Sequence, residues 1–172
     1  MIDMLIKNNN SIVIRNKDKH LIMQHSSSVD AFRVLVDKHY TSGIDGEVIS
    51  MEDFKCVMEY LLPNSKKYQV IELERMADEA PSNSGADEPI SPYADYLKFR
   101  LPIDSEFTEE AGDIEIQFTL AKKDGTEEDK ILMRKTEKTK ITIEPTTEWS
   151  NVGIDVFNKE LEEILDEEVP SV

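Results

Sequence analysis

The clearest period along the chain is two. Ile114, Ile116, Phe118 and Leu120 alternate with Glu115, Gln117 and Thr119, the spacing that sends successive strand side chains to opposite faces. Phe54, Cys56, Met58 and Tyr60 alternate with Lys55, Val57 and Glu59 in the same way. Phe32, Val34 and Val36 alternate with Arg33, Leu35 and Asp37. Leu35 makes that strand apolar on both faces, as at the centre of a sandwich. Shorter candidates are residues 12–14 and 21–23, with RNKDKH between them as a polar hairpin connection, and Val70 and Ile71 in YQVIELERM. Residues 96–101 form another and end at Pro102; Ile131 with Met133, and Ile141 with Ile143, complete the set.

Turn signals separate these runs. TSGIDGEVIS carries two glycines and reads as a loop, Pro63 and Asn64 close the strand before them, and residues 77–92 are a loop rich in Pro, Ser and acids. Asp124-Gly125 predicts a hairpin turn. Seven to nine short strands so punctuated predict a mainly β fold, an immunoglobulin-like antiparallel β-sandwich followed by a short C-terminal α-helix.

Between LKFRLP and DIEIQFTL lies IDSEFTEEAG, the layout of a chain crossing from one sheet to the other. Thr108 or Ser105 is suited to start a helical turn, and Glu109 and Glu110 suit its positive end. Gly112 is expected in a left-handed conformation, after which Ile114 and Ile116 point inward. Antibody domains carry a tyrosine clamp where Ile114 stands, so that clamp is absent. The acids here read as solvated architecture, not as an acid/base or metal pair.

The period changes only near the end. Ile154, Phe157, Leu161 and the pair Ile164/Leu165 recur at helical spacing, with Ser150 or Asp155 as the N-terminal cap. Glu162, Glu163, Asp166, Glu167 and Glu168 crowd acid toward the end that the helix dipole makes negative. Such a helix needs a surface to lie on, its own domain or another subunit, and Phe157, Leu161, Ile164 and Leu165 are the expected contacts. Trp149 is expected to pack the junction. The chain thus divides into an N-terminal arm (1–10), the sandwich (11–149), the helix (150–168) and a tail (169–172).

The formal net charge of −16 opposes binding to nucleic-acid backbones and to anionic membranes. It suits solubility at high copy number, or docking onto a basic partner. Cys56 is the only cysteine, so no intrachain disulfide forms. No run reaches the ~20 apolar residues of a membrane span. MIDMLIKNNN lacks the apolar core of a signal peptide, which implies synthesis in the cytoplasm.

Positive evidence for catalysis is missing. His20 and His25 are five apart in a strand-like segment and face opposite sides, and His39 has no second histidine at ligand spacing. No HExxH, GxSxG, GxGxxG or phosphate-loop motif occurs. Cys56 reads as a small buried hydrophobe. The acids of IDGE and KDGTEED fall short of a calcium loop, and no cofactor or metal is expected. A second reading, a carbohydrate-binding cell-surface module with or without calcium, needs exposed aromatics; Trp149, Tyr93 and Tyr96 are the candidates.

The ordered pieces RNKDKHLIMQHSSSVDAFRVLVDKHYTSGID, MEDFKCVMEYLLP, LKFRLPIDSEFTEEAGDIEIQFTL and RKTEKTKITIEPTTEWS carry a resemblance. Over about residues 11–150 their layout is similar to the N-terminal domain of the baseplate upper protein family, structural proteins in phages of Gram-positive bacteria. In that family the sandwich anchors to the virion, and the helix after it opens a bundle that carries a receptor-binding part. Here one helix is followed by DEEVPSV. The resemblance therefore implies a non-enzymatic anchoring, adaptor or decoration module of baseplate, tail or head. It also implies residence in the virion, other virion structural proteins as partners, a homo-oligomer in the particle, and contact with neither nucleic acid nor membrane.

Overall fold

A computed structural model describes residues 1–43, 45–78, 94–125, 130–146 and 151–167. In chain order the strands are β1 (Ile2–Ile6), β2 (Ile12–Val13), β3 (Ile22–Met23), β4 (Ala31–Asp37), β5 (His39–Thr41), β6 (Val48–Ser50) and β7 (Lys55–Leu61). They continue with β8 (Tyr68–Glu72), β9 (Glu74–Arg75), β10 (Tyr96–Pro102), β11 (Gly112–Lys123), β12 (Ile131–Lys135) and β13 (Thr139–Glu144), and helix α1 (Asn151–Glu167) follows.

Eleven of the strands form a two-sheet sandwich, and β5 and β6 pair with each other as a separate two-stranded sheet. The first sheet runs β2-β1-β4-β10-β9; the second runs β3-β13-β11-β7-β8, with β12 beside the far half of β11. The long strand β11 is the spine of the second sheet: β7 flanks one side, and β13 and then β12 flank the other. The period-2 residues meet in between. Phe32, Val34, Val36, Leu97 and Phe99 from the first sheet share a core with Cys56, Met58, Tyr60, Ile114, Ile116, Phe118 and Leu120 from the second. Leu35 is buried as well, on the other face of β4, as its apolar character predicts.

Several expectations need correction. Residues 1–10 are not an arm. Ile2, Met4 and Ile6 are fully buried, and β1 lies parallel to β4. Alternation in IDMLI was the available signal, but Leu5 blurs it. The following turn is latched from β12, where the Arg134 guanidinium donates to Asn10 Oδ1 (2.6 Å) and to the Lys7 carbonyl (2.8 Å) and stacks 4.1 Å from the Tyr40 ring centre.

Residues 12–14 and 21–23 do not form a hairpin. β2 joins the first sheet and β3 the second, and RNKDKH holds a 3-10 turn, Asn16–His20, in which His20 sits. TSGIDGEVIS is only partly loop, since Val48–Ser50 pairs with His39–Thr41. Among the described residues all strand pairings are antiparallel except β1 with β4 and β3 with β13. Thirteen strands among the described residues exceed the seven to nine expected, because several span only two or three residues. So short a pairing leaves no period to read. Asp155 lies inside α1 rather than at its start, while Ser150, Trp149, Tyr93 and most of the 77–92 loop fall outside the described residues.

Candidate functional site

The corner between β10 and β11 does cross between the sheets, and its Asp104, Glu106, Thr108 and Glu110 side chains each have a structural task. Asp104, not Ser105 or Thr108, caps the turn: its carboxylate accepts from the Phe107 N–H at 2.9 Å. Glu110 accepts the backbone N–H groups of both Asn64 and Ser65 at 2.8 Å; a hydrogen bond from the Ser65 side chain foremost, and these two with it, hold its carboxyl below the ordinary range. Glu106 receives the Lys67 ammonium at 2.7 Å and the Gln69 amide at 3.0 Å.

Ile114 stands where antibody domains carry their tyrosine, and Phe107 clamps the two sheets from the corner instead. Its ring meets Phe32 of the first sheet and Tyr60 of the second edge-to-face, both at 5.2 Å. The buried Thr108 hydroxyl donates to the Ser26 carbonyl at 2.6 Å. Gly112 has φ +125°, and a Cβ there would stand 3.1 Å from Pro63 Cβ. Ile114 and Ile116 point inward and are buried, as expected. The corner is architecture.

Nothing else among the described residues assembles chemistry. No three His, Cys, Asp or Glu side chains converge. His20 pairs with Glu144 at 3.0 Å, His39 lies 4.0 Å from Asp37, and both are exposed. Cys56 is buried, and burial pushes its thiol up to about 12. A cleft of about 620 Å³ lies between the Lys7–Asn10 turn and Tyr40, Thr41 and Gly43; it holds no nucleophile with an orienting base. Tyr96 is half-buried. No helix of the described residues is long and apolar enough to cross a membrane.

Two apolar surfaces stand out. On α1, Phe157 is 63% exposed, Leu161 39%, Ile164 53% and Leu165 56%. At 100° per residue the four form one stripe, with Glu160 along one border and Glu162 along the other. The structure leaves this stripe off the chain's own sandwich. The last turn of the helix contains no basic residue to complement the helix dipole.

The second surface is the outer face of the second sheet, which sequence reasoning missed. Register brings Tyr68 opposite Leu61, Val70 opposite Glu59, Glu72 opposite Val57, and Met133 opposite Ala121. Tyr68, Val70, Ile131 and Met133 are each 52–57% exposed. Glu59 anchors the middle of the face. It accepts the Lys135 ammonium at 2.9 Å, the Tyr68 hydroxyl at 2.8 Å and the Thr119 hydroxyl at 3.1 Å. These bonds, that of Lys135 foremost, hold its carboxyl below the ordinary value. Polar neighbours in each strand hid this surface, since only the pairing register joins Val57, Ala121 and Met133.

No protein-family model matches the chain, and no curated protein does. Among solved structures, the N-terminal domain of phage TP901-1 ORF48 is similar over 83% of this chain and 95% of that one, with a TM-score of 0.41 and 11% identity. A likeness that low in both measures bears no functional weight.

Proposed function

We propose that this chain is a non-enzymatic structural module of a phage virion, an anchoring, adaptor or decoration unit that acts through protein–protein contacts. The observation that carries the contact role is the apolar stripe Phe157, Leu161, Ile164 and Leu165, exposed on a helix that its own sandwich does not cover. Four large apolar side chains in one stripe on an otherwise acidic helix favour burial against a partner. The virion assignment is supported by the resemblance of residues 11–150 to the baseplate upper protein N-terminal domain. The partners are then other virion proteins and further copies of the chain, in a particle assembled from chains made in the host cytoplasm.

The test is an antibody against the chain, applied to purified particles from the strain that encodes it. Detection at one fixed place on the virion, lost when Phe157 and Leu161 are changed to serine, is the expected result. A chain found only in the soluble lysate, never in particles, contradicts the reading.

A further inference from the structure

We infer that β8 is a docking edge for the β8 of a second copy of this chain, the two strands paired antiparallel about Val70. The inference goes beyond the contact role of α1 and uses no residue of that helix. It starts from the ladder between β7 and β8. The Leu62 N–H donates to the Lys67 carbonyl at one end, and the Leu73 N–H donates to the Cys56 carbonyl at the other. Met58 stands opposite Ile71, and Tyr60 opposite Gln69, between them. Hydrogen-bonded pairs alternate along an antiparallel ladder, so residues 67, 69, 71 and 73 bond inward to β7. Tyr68, Val70 and Glu72 therefore aim their backbone N–H and C=O groups away from the sheet. β8 is the end strand there, and no described residue bonds those groups.

Natural sheets guard such edges with very short strands, prolines or lysines. The other edges of the sandwich among the described residues are guarded in that way. β2, β3 and β9 have two residues each, and β12 carries Arg134 and Lys135. β8, with the sequence YQVIE, has five residues and neither lysine nor proline. Tyr68 and Val70 are exposed, so the edge is open.

A second copy fits because this edge is its own complement. Paired antiparallel about Val70, the strands set Val70 against Val70 and Tyr68 against Glu72 on both sides of a two-fold axis. All three outward N–H groups of each strand then meet a carbonyl of the other. A parallel copy in register would lay Glu72 against Glu72. Charge permits the approach. Every charged side chain on β7 and β8 is already paired, Lys55 with Glu72 at 3.8 Å and Glu59 with Lys135 at 2.9 Å. Lys67, in the turn between the strands, holds Glu106 at 2.7 Å. Five residues a side bury well under the ~1,200 Å² of a stable interface. The seam therefore joins copies that another contact already holds near one another, and does not set the mass of the free chain.

Disulfide trapping reads so small a contact directly. Across the seam two Val70 Cα atoms lie about 5.5 Å apart, within reach of a disulfide. Two Tyr68 or two Glu72 Cα atoms lie more than about 13 Å apart, beyond it. The native Cys56 is buried and does not compete. Full chains carrying Val70→Cys, Tyr68→Cys or Glu72→Cys are oxidised at one concentration, with circular dichroism to verify folding. Val48→Cys, similarly exposed on the separate sheet of β5 and β6, is the reference. Val70→Cys is expected to link to itself at least about tenfold faster than the reference. Tyr68→Cys and Glu72→Cys should each stay single alone and link when mixed, because the seam sets them opposite each other. A Val70→Cys chain that links no faster than the reference overturns the inference. So does a mixture of the other two that links no faster than either alone. Both failures leave the contact role of α1 standing, since the serine variant judges that role in particles.

Discussion

At the scale of single residues, the corner shows how local chemistry fixes the crossing between sheets. Phe107 touches an aromatic ring from each sheet, so its removal leaves a cavity that both sheets border. Phe107→Ala is expected to cost about 3–5 kcal/mol in urea unfolding; a loss below about 1 kcal/mol would deny it the clamp role. Gly112→Ala should cost about 1–3 kcal/mol, since φ +125° strains any side chain and the added Cβ meets Pro63 at 3.1 Å. Neither role was equally legible beforehand. Gly112 and Ile114 announced themselves, because a glycine before a period-2 run has one common use. Phe107 did not, because a lone aromatic in an acidic turn reveals nothing about the rings it will meet from residues 32 and 60.

Glu59 supplies the acid dependence at this scale. Its carboxyl is held below the ordinary 4.5 by Lys135, Tyr68 and Thr119. A depressed carboxylate adds stability that is present above its unfolded value and is lost as pH falls through the folded one. The melting temperature should therefore fall as pH drops below about 4.5, and Glu59→Gln should make that fall shallower. An identical acid profile in the variant would mean that the three bonds contribute nothing in solution.

At the scale of elements, long strands were legible and short ones were not. β4, β7 and β11 each repeat their period three times or more, and all were recognised. β2, β3 and β9 have two residues each, and their sheet is chosen by tertiary pairing. Helix α1 is legible for the opposite reason, as the one stretch where the period becomes helical. It is also the least self-sufficient element. It has a glycine at position 153, acid in its last turn and no cover over residues 156–166. A peptide of residues 151–167 should be mostly non-helical in water by circular dichroism. A strongly helical peptide would show that α1 needs no partner surface to form.

At the scale of the whole molecule, two features set the behaviour: a closed core without catalytic grouping among the described residues, and an apolar stripe outside it. A net charge of −16 spreads repulsion over the surface, so association depends on a local apolar contact. The apolar outer face of the second sheet could not be read along the chain, because its members come from several strands and meet only through register. The account's central claim, that the stripe of α1 is a surface between chains, is tested most directly by light scattering. The intact chain is measured at several concentrations beside a Phe157→Ser/Leu161→Ser variant, with thermal unfolding of both. The account predicts an oligomer for the intact chain, the mass of one chain for the variant, and little change in the melting of the sandwich. A monomeric intact chain, with a variant that melts markedly lower, would contradict it, because the stripe would then belong to the chain's own core.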